Sequence, residues 1–139
     1  GGGGAAAAAA YAMTALEMDV TILNRTVEKA RGIAERFGCR AGGLEEIRRI
    51  PADLVVNATS VGMEPDTRTL LTAADLRPGC TVFDLVYTPP VTPLLREAKA
   101  AGCATISGRE MFVHQAREQF EVFTGIRVPE QLVREAIPP

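Results

Sequence analysis

The chain has 139 residues, 47% of them apolar and 23% charged, which suits one domain with a sizeable core and excludes intrinsic disorder. Fifteen Lys plus Arg against seventeen Asp plus Glu leave a formal charge of -2, so no bulk field holds a nucleic acid or an anionic membrane. Any phosphate must be held locally. Cys39, Cys80 and Cys103 form no C-x-x-C pair and His114 is the only histidine, which argues against a zinc site or a disulfide scaffold. The cysteines read as small core residues of a reducing compartment. With no run of about 18 apolar residues and no signal-sequence pattern, a soluble cytoplasmic protein is expected.

Gly1 to Gly4 and Ala5 to Ala10 contain only glycine and alanine. Alanine is the strongest helix former, and Tyr11, Ala12, Ala15, Leu16 and Met18 continue an apolar pattern, so a buried helix is predicted over 5–18 behind a glycine turn. Val20-Thr21-Ile22-Leu23 predicts a strand, and Ala30, Ile33, Ala34 and Phe37 an amphipathic helix capped by Thr26 and stopped at Gly38. A very short strand over 39–41 and a brief helix over 44–50 follow. Leu54-Val55-Val56 reads as a buried strand opening into the loop Asn57 to Met63, and 64–77 as a polar excursion with one helical turn. Thr81 to Val86 is a strand closed by Tyr87-Thr88-Pro89-Pro90. Thr92 and Pro93 open a helix that runs to about Ala101. A small strand over 104–106 leads to Ser107-Gly108-Arg109-Glu110, whose S-x-x-E spacing predicts a capping box for a helix over 111–124, and 129–137 forms a last short helix.

Strands alternating with helices at this spacing predict an α/β, Rossmann-like doubly wound parallel sheet. In such a fold the glycine turn follows directly on the first, central strand, and no strand precedes Gly1. The sequence is therefore expected to be a fragment lacking that strand, with 1–139 forming one nucleotide-binding domain from the C-terminal half of a longer chain.

Gly1-Gly2-Gly3-Gly4-Ala5-Ala6 fits G-x-G-x-x-A, a turn that lets backbone approach a pyrophosphate at a helix N-terminus; a linker reading of the glycine run stays open. The residue that reads the adenosine ribose is expected about 20 residues later. Asn24 lies 21 residues after Gly3, and Asn24-Arg25-Thr26 with Lys29 offers cationic and neutral donors where a free 2′-hydroxyl would call for a carboxylate. NADP is thus preferred over NAD. Asn57 to Met63 is placed to line a ligand crevice. Asp84, inside an apolar strand, reads as a hydrogen-bonded anchor in preference to a functional acid. His114 has no identifiable catalytic partner, while Gln115 shares the helix face of Met111.

The chain resembles the NADP-binding domain of shikimate dehydrogenases over nearly its whole length. The resemblance rests on the turn Gly1 to Ala5, on Asn24-Arg25-Thr26 with Lys29, and on Asn57-Ala58-Thr59-Ser60-x-Gly62-Met63. It extends through Asp84-x-x-Tyr87-x-Pro89 with Thr92-Pro93-Leu94, and Gly108-x-x-Met111-x-x-x-Gln115-Ala116. The first two blocks also occur in the cofactor domain of glutamyl-tRNA reductases. The resemblance implies that Gly1, Gly3, Gly4 and Ala5 form the pyrophosphate turn and that Asn24, Arg25, Thr26 and Lys29 hold the 2′-phosphate. It implies that Thr59, Ser60 and Met63 border the ribose and nicotinamide, that Leu85, Gly108 and Met111 pack near the nicotinamide, and that Tyr87 and Gln115 reach shikimate.

The implied reaction is hydride transfer between NADPH and 3-dehydroshikimate in aromatic amino acid biosynthesis. In that family the lysine and aspartate pair that handles the hydroxyl proton lies in an N-terminal substrate domain. The lysines here are Lys29 and Lys99, neither assigned to that role, so the fragment alone is expected to bind cofactor and scarcely turn over. A non-catalytic NADP-sensing module and a quinate/shikimate dehydrogenase are the alternatives, and the upstream part could be fused to a dehydratase.

Overall fold

The computed structural model describes residues 1–137. Alanine propensity gives α1 (Gly4–Ala15), which buries only Ala6 and Ala10 and leaves Tyr11, Leu16 and Met18 exposed. The expected buried helix is thus half-buried: its alanine stripe meets β1 (Thr21–Asn24) and α2 (Val27–Phe37), and the exposed Tyr11 ring lies 5.9 Å from that of Phe37. Ala10, Ala30 and Ala34 pack on Ile22, and their small side chains let both helices approach the strand closely. The next strand, β2 (Arg40–Gly43), lies slightly later than predicted, and a 3-10 turn (Leu44–Arg49) replaces the expected brief helix.

β3 (Leu54–Asn57) leads through the 58–80 segment, with a 3-10 turn at Ala73–Asp75, into β4 (Thr81–Asp84). The second core lies where α3 (Pro93–Ala100) and β5 (Ala104–Ile106) meet β4, around Val82, Leu94, Leu95, Ala98, Cys80 and Cys103. Every strand pair is parallel, and the strands form two sheets, β1-β2 and β3-β4-β5. β1 and β3 are not hydrogen-bonded to each other; a cleft of about 710 Å³ runs between them. No helix among the described residues is long and apolar enough to cross a membrane.

The chain closes with α4 (Gly108–Thr124) and α5 (Glu130–Ala136). Ser107 is the N-cap of α4, but its hydroxyl makes no capping bond, so the expected capping box is incomplete. Glu110 is engaged elsewhere: both its carboxylate oxygens accept from Arg134 of α5, at 3.0 and 2.6 Å. A bidentate charged pair competes successfully with a local cap that exchanges a single backbone bond.

Those bonds hold the Glu110 carboxyl below the ordinary glutamate range. The pairing therefore stabilises the docking of α5 at all pH values above that range and is lost as pH falls through the lowered pKa. Glu110→Gln is expected to speed amide exchange in α5 at neutral pH and to reduce its acid sensitivity to the part that the Glu130–Arg134 pair supplies, as read by exchange at pH 7 and pH 3. Equal exchange in both proteins at both pH values would refute the assignment.

Candidate functional site

Parallel strands end on a common rim, where β1 finishes in Asn24, β3 in Asn57 and β4 in Asp84. Gly1 ties the two sheets together at this rim. Its N–H group donates to the Leu23 carbonyl at 2.9 Å, and a Cβ on Gly1 would stand 2.3 Å from the Ala58 carbonyl oxygen. No side chain fits there. A Cβ on Gly2 would lie 2.3 Å from Asn24 Nδ2 and 3.0 Å from Lys29 Cβ, so Gly2, Asn24 and Lys29 converge. The space around the Cβ positions of Gly3 and Gly4 is open within 4 Å.

Gly3 caps α1 without a side chain, and the first-turn positions carry no acidic residue. The helical bonds begin with Ala7 N–H to the Gly3 carbonyl, at 3.1 Å, which leaves the N–H groups of Gly4, Ala5 and Ala6 directed beyond the helix end. These donors and the positive end of the helix dipole favour an anion at that point.

Next to them, Arg25, Thr26 and Lys29 are exposed, and Asn24 is half-buried. Thr26 occupies the predicted N-cap position of α2, but its hydroxyl makes no capping bond and stays available to a ligand. Arg25 and Lys29 take part in no ion pair among the described residues. Asn24 and Lys29 thus converge on Gly2, just before α1, with Arg25 and the uncapped Thr26 between them in sequence.

The other half of the rim is organised by Asp84, which is fully buried. Its Oδ1 accepts from Asn57 Nδ2 at 2.9 Å and from Val86 N–H at 3.0 Å, and its Oδ2 from the Thr92 hydroxyl at 2.6 Å. Thr92 in turn accepts from Leu95 N–H at 3.2 Å as the α3 cap. Burial pushes the Asp84 carboxyl above the ordinary aspartate range, and these three donors oppose the shift. Asp84 is an anchor in this arrangement.

Asn57 extends the network into the loop. Its Oδ1 accepts from Thr59 N–H at 3.0 Å and from the Thr59 hydroxyl at 2.7 Å, and its Nδ2 also donates to the Val61 carbonyl at 3.2 Å. Val61 N–H donates to Thr59 Oγ1, and Gly62 turns the chain at φ +89. Ser60 and Met63 are thereby displayed at the surface. Glu64 N–H donates to the Thr88 carbonyl at 3.1 Å and joins this loop to the one that carries Tyr87.

Gly108 seats α4 against β4: a Cβ there would lie 2.5 Å from both the Leu85 and Val86 carbonyl oxygens. Leu85 and Gly108 are therefore direct neighbours, and Met111 lies one helical turn beyond Gly108 on α4. Tyr87 is exposed on one side and stacked on Phe112 on the other, with ring centroids 4.8 Å apart. Gln115 follows Phe112 by one helical turn and is exposed, as is His114. Phe112 and the hub role of Asn57 escaped the sequence reading. Phe112 sits in an unbroken helical stretch with no spacing signal, whereas Asn57 already stood in a small, polar loop motif.

Comparison with known proteins sharpens this picture. A profile described as the Shikimate 5′-dehydrogenase C-terminal domain matches residues 108–137. Shikimate dehydrogenase (NADP(+)) of Methanosarcina mazei is 42% identical over 148 aligned positions, covering 99% of this chain and 52% of that protein. The chain is similar to the C-terminal half of shikimate dehydrogenases.

Solved structures agree. Shikimate 5-dehydrogenase from Thermus thermophilus in complex with NADP(H) and shikimate superposes with a TM-score of 0.86 at 38% identity, over 99% of this chain and 53% of that one. Quinate dehydrogenase from Corynebacterium glutamicum in complex with NAD gives 0.88 at 32% identity, over 97% and 51%. The chain spans about half the length of these members of the family. The glycine turn, the β1 tip, the 57–63 loop and the Tyr87 and Gln115 blocks all fall within the matched span.

Proposed function

We propose that this chain is the NADP-binding domain of a shikimate dehydrogenase, the C-terminal half of a longer polypeptide whose N-terminal domain holds the substrate and the proton-handling residues. One observation carries the nucleotide reading: Asn24 and Lys29 converge on Gly2 at the entry to α1, whose first turn lacks any acidic residue, with Arg25 and the uncapped hydroxyl of Thr26 between them in sequence. The donor set fits a dinucleotide. The open backbone at Gly3 and Gly4 admits a pyrophosphate, with Gly4, Ala5 and Ala6 N–H groups as donors, while Gly1 makes the turn. Arg25 offers a planar, bidentate partner for a 2′-phosphate, and Lys29 a second charge.

When bound, the nicotinamide would give a hydride to 3-dehydroshikimate as NADPH, or take it from shikimate as NADP+, the two-electron step that separates these compounds. Thr59, Ser60 and Met63 border the ribose and nicotinamide, with Thr59 held by Asn57. Leu85, Gly108 and Met111 would hold the nicotinamide side of the cofactor and would exclude water from it. Tyr87, oriented by Phe112, and Gln115 face the substrate and position its hydroxyls. Lys29 belongs to the nucleotide and Lys99 lies on α3, so positioning alone remains to this domain and turnover requires the other half. The free thiols of Cys39, Cys80 and Cys103 suit the reducing cytoplasm in which such an enzyme works.

In the full-length protein, shikimate oxidation with NADP is the expected activity. Gln115→Ala is expected to raise the Michaelis constant for shikimate roughly tenfold, the worth of one lost hydrogen bond, and to leave that for NADP unchanged. An unchanged constant for shikimate would remove Gln115 from the site, and absence of shikimate oxidation would remove the reading itself.

A further inference from the structure

We propose that Cys80 and Cys103 form a reversible oxidation site, at which a peroxide links the two sulfurs into a disulfide that staples β4 to β5 and encloses α3 in a covalent loop. The register of the sheet brings the two residues together. Thr81 pairs with Ala104, and Ala104 N–H donates to the Cys80 carbonyl at 3.0 Å, so the cysteines face each other one position before the paired strands. Adjacent strands lie about 4.8 Å apart, inside the Cα separation of about 4.4–6.8 Å that a disulfide accepts. The sulfurs already stand 3.2 Å apart. Bonding at about 2.05 Å requires a movement of about 1 Å.

The pair sits just beneath the surface, under two exposed glycines. Gly79 and Gly102 each precede one of the cysteines, both turn in the left-handed region at φ +81 and +75, and Gly79 N–H donates to the Gly102 carbonyl at 3.3 Å. Cys103 keeps 9% of its surface in solvent and Cys80 1%. Burial, with the Cys103 thiol beside it, pushes the Cys80 thiol above its ordinary range and disfavours its thiolate. Cys103 is therefore the sulfur that meets the oxidant. Its thiolate attacks one oxygen of hydrogen peroxide, the O–O bond breaks, and Cys103 becomes a sulfenic acid while hydroxide leaves and is protonated to water. The Cys80 sulfur, its proton given to solvent, then attacks the Cys103 sulfur; the S–O bond breaks and a second hydroxide leaves as water. Two thiols thus become one disulfide, and one peroxide becomes two waters.

The bond completes a clamp on α3. At the N-terminal end of that helix the Thr92 hydroxyl already donates to Asp84 at 2.6 Å. At its C-terminal end Cys103 N–H donates to the Ala98 carbonyl at 3.0 Å, and both cysteines share a core with Val82, Leu94, Leu95 and Ala98. Linking residues 23 positions apart restricts the unfolded chain far more than the folded one. Cys80 precedes β4 and Asp84 ends it, so the staple lies at the end of the strand away from the rim. Cys39 packs in the other core, beside Ala34 and Ile22.

The test treats the full-length protein with hydrogen peroxide, alkylates the remaining thiols and maps the peptides. The peptides that carry Cys80 and Cys103 should be recovered linked, lighter by two hydrogens than the separate pair. The unfolding midpoint should rise by roughly 10 °C and return on treatment with a dithiol reductant. Cys103→Ala should abolish the rise and Cys39→Ala should keep it. Recovery of Cys80 and Cys103 unlinked from the oxidised, unaltered protein would overturn the proposal. So would a linked pair with an unchanged midpoint, or the same rise in Cys103→Ala.

Discussion

Replacing Asp84 by alanine is expected to cost about 3–5 kcal/mol of folding stability, a large share of the 5–15 kcal/mol available to a domain. The substitution leaves the Asn57 amide, the Val86 N–H and the Thr92 hydroxyl without their shared acceptor in a fully buried site. Each bond to a charged group is worth about 1.5–3 kcal/mol, and the three lost together are not additive. The damage should be directional. Asn57 holds the 57–63 loop and Thr92 caps α3, so both should show faster amide exchange while β1 and α2 keep theirs. Denaturant unfolding followed by exchange mapping checks both parts, and a loss below about 1 kcal/mol would exclude Asp84 as the hub.

The pH dependence of this site carries its own sign. The folded-state pKa of Asp84 stands above the unfolded value, so the folded chain binds that proton more tightly. Stability therefore declines as pH rises from the ordinary aspartate range through the raised pKa, and is flat beyond it.

Gly108→Ala is the second large effect expected. A Cβ at this position would meet two backbone oxygens, Leu85 and Val86, at 2.5 Å, and neither can swing aside as a flexible side-chain tip would. Helix α4 must move away from β4. Overpacking of this kind costs about 1–3 kcal/mol, and the rigidity of both neighbours places this case near the upper end. The displacement also separates Phe112 from Tyr87 and Gly108 from the Leu85 carbonyl. In the full-length enzyme the Michaelis constants for nucleotide and shikimate should therefore both rise. Unaltered stability together with unaltered kinetics would contradict the tight seating of α4.

The alternation of apolar strands and helices was legible because periodicity reports burial, and burial on a parallel sheet is what fixes the order of elements. The N-cap positions of Thr26, Thr92 and Ser107 were equally legible, since backbone geometry sets them. What their hydroxyls do was not. Thr92 both caps α3 and binds Asp84, Thr26 caps nothing, and the glutamate expected to complete the Ser107 box is held by Arg134, 24 residues away. Such choices are settled by tertiary partners that local spacing does not encode. The burial of α1 was overestimated for a related reason: its composition is apolar all round, but only Ala6 and Ala10 are buried. Within the candidate site, glycine and donor motifs located Gly1 to Ala5 and Asn24 to Lys29. The Tyr87–Phe112 stack depends on which turn of α4 meets the 87–90 loop, and that emerged only from the fold.

The donors at the tip of β1 are tested most directly by titrating the chain with NADP and with NAD, and repeating both titrations with Arg25→Ala. NADP should bind roughly ten- to a hundredfold more tightly than NAD, the worth of a hydrogen bond to a charged group, and the substitution should remove most of that preference while leaving NAD affinity unchanged. Equal affinity for the two nucleotides in the unaltered chain would contradict the assignment of Asn24, Arg25, Thr26 and Lys29 to a 2′-phosphate.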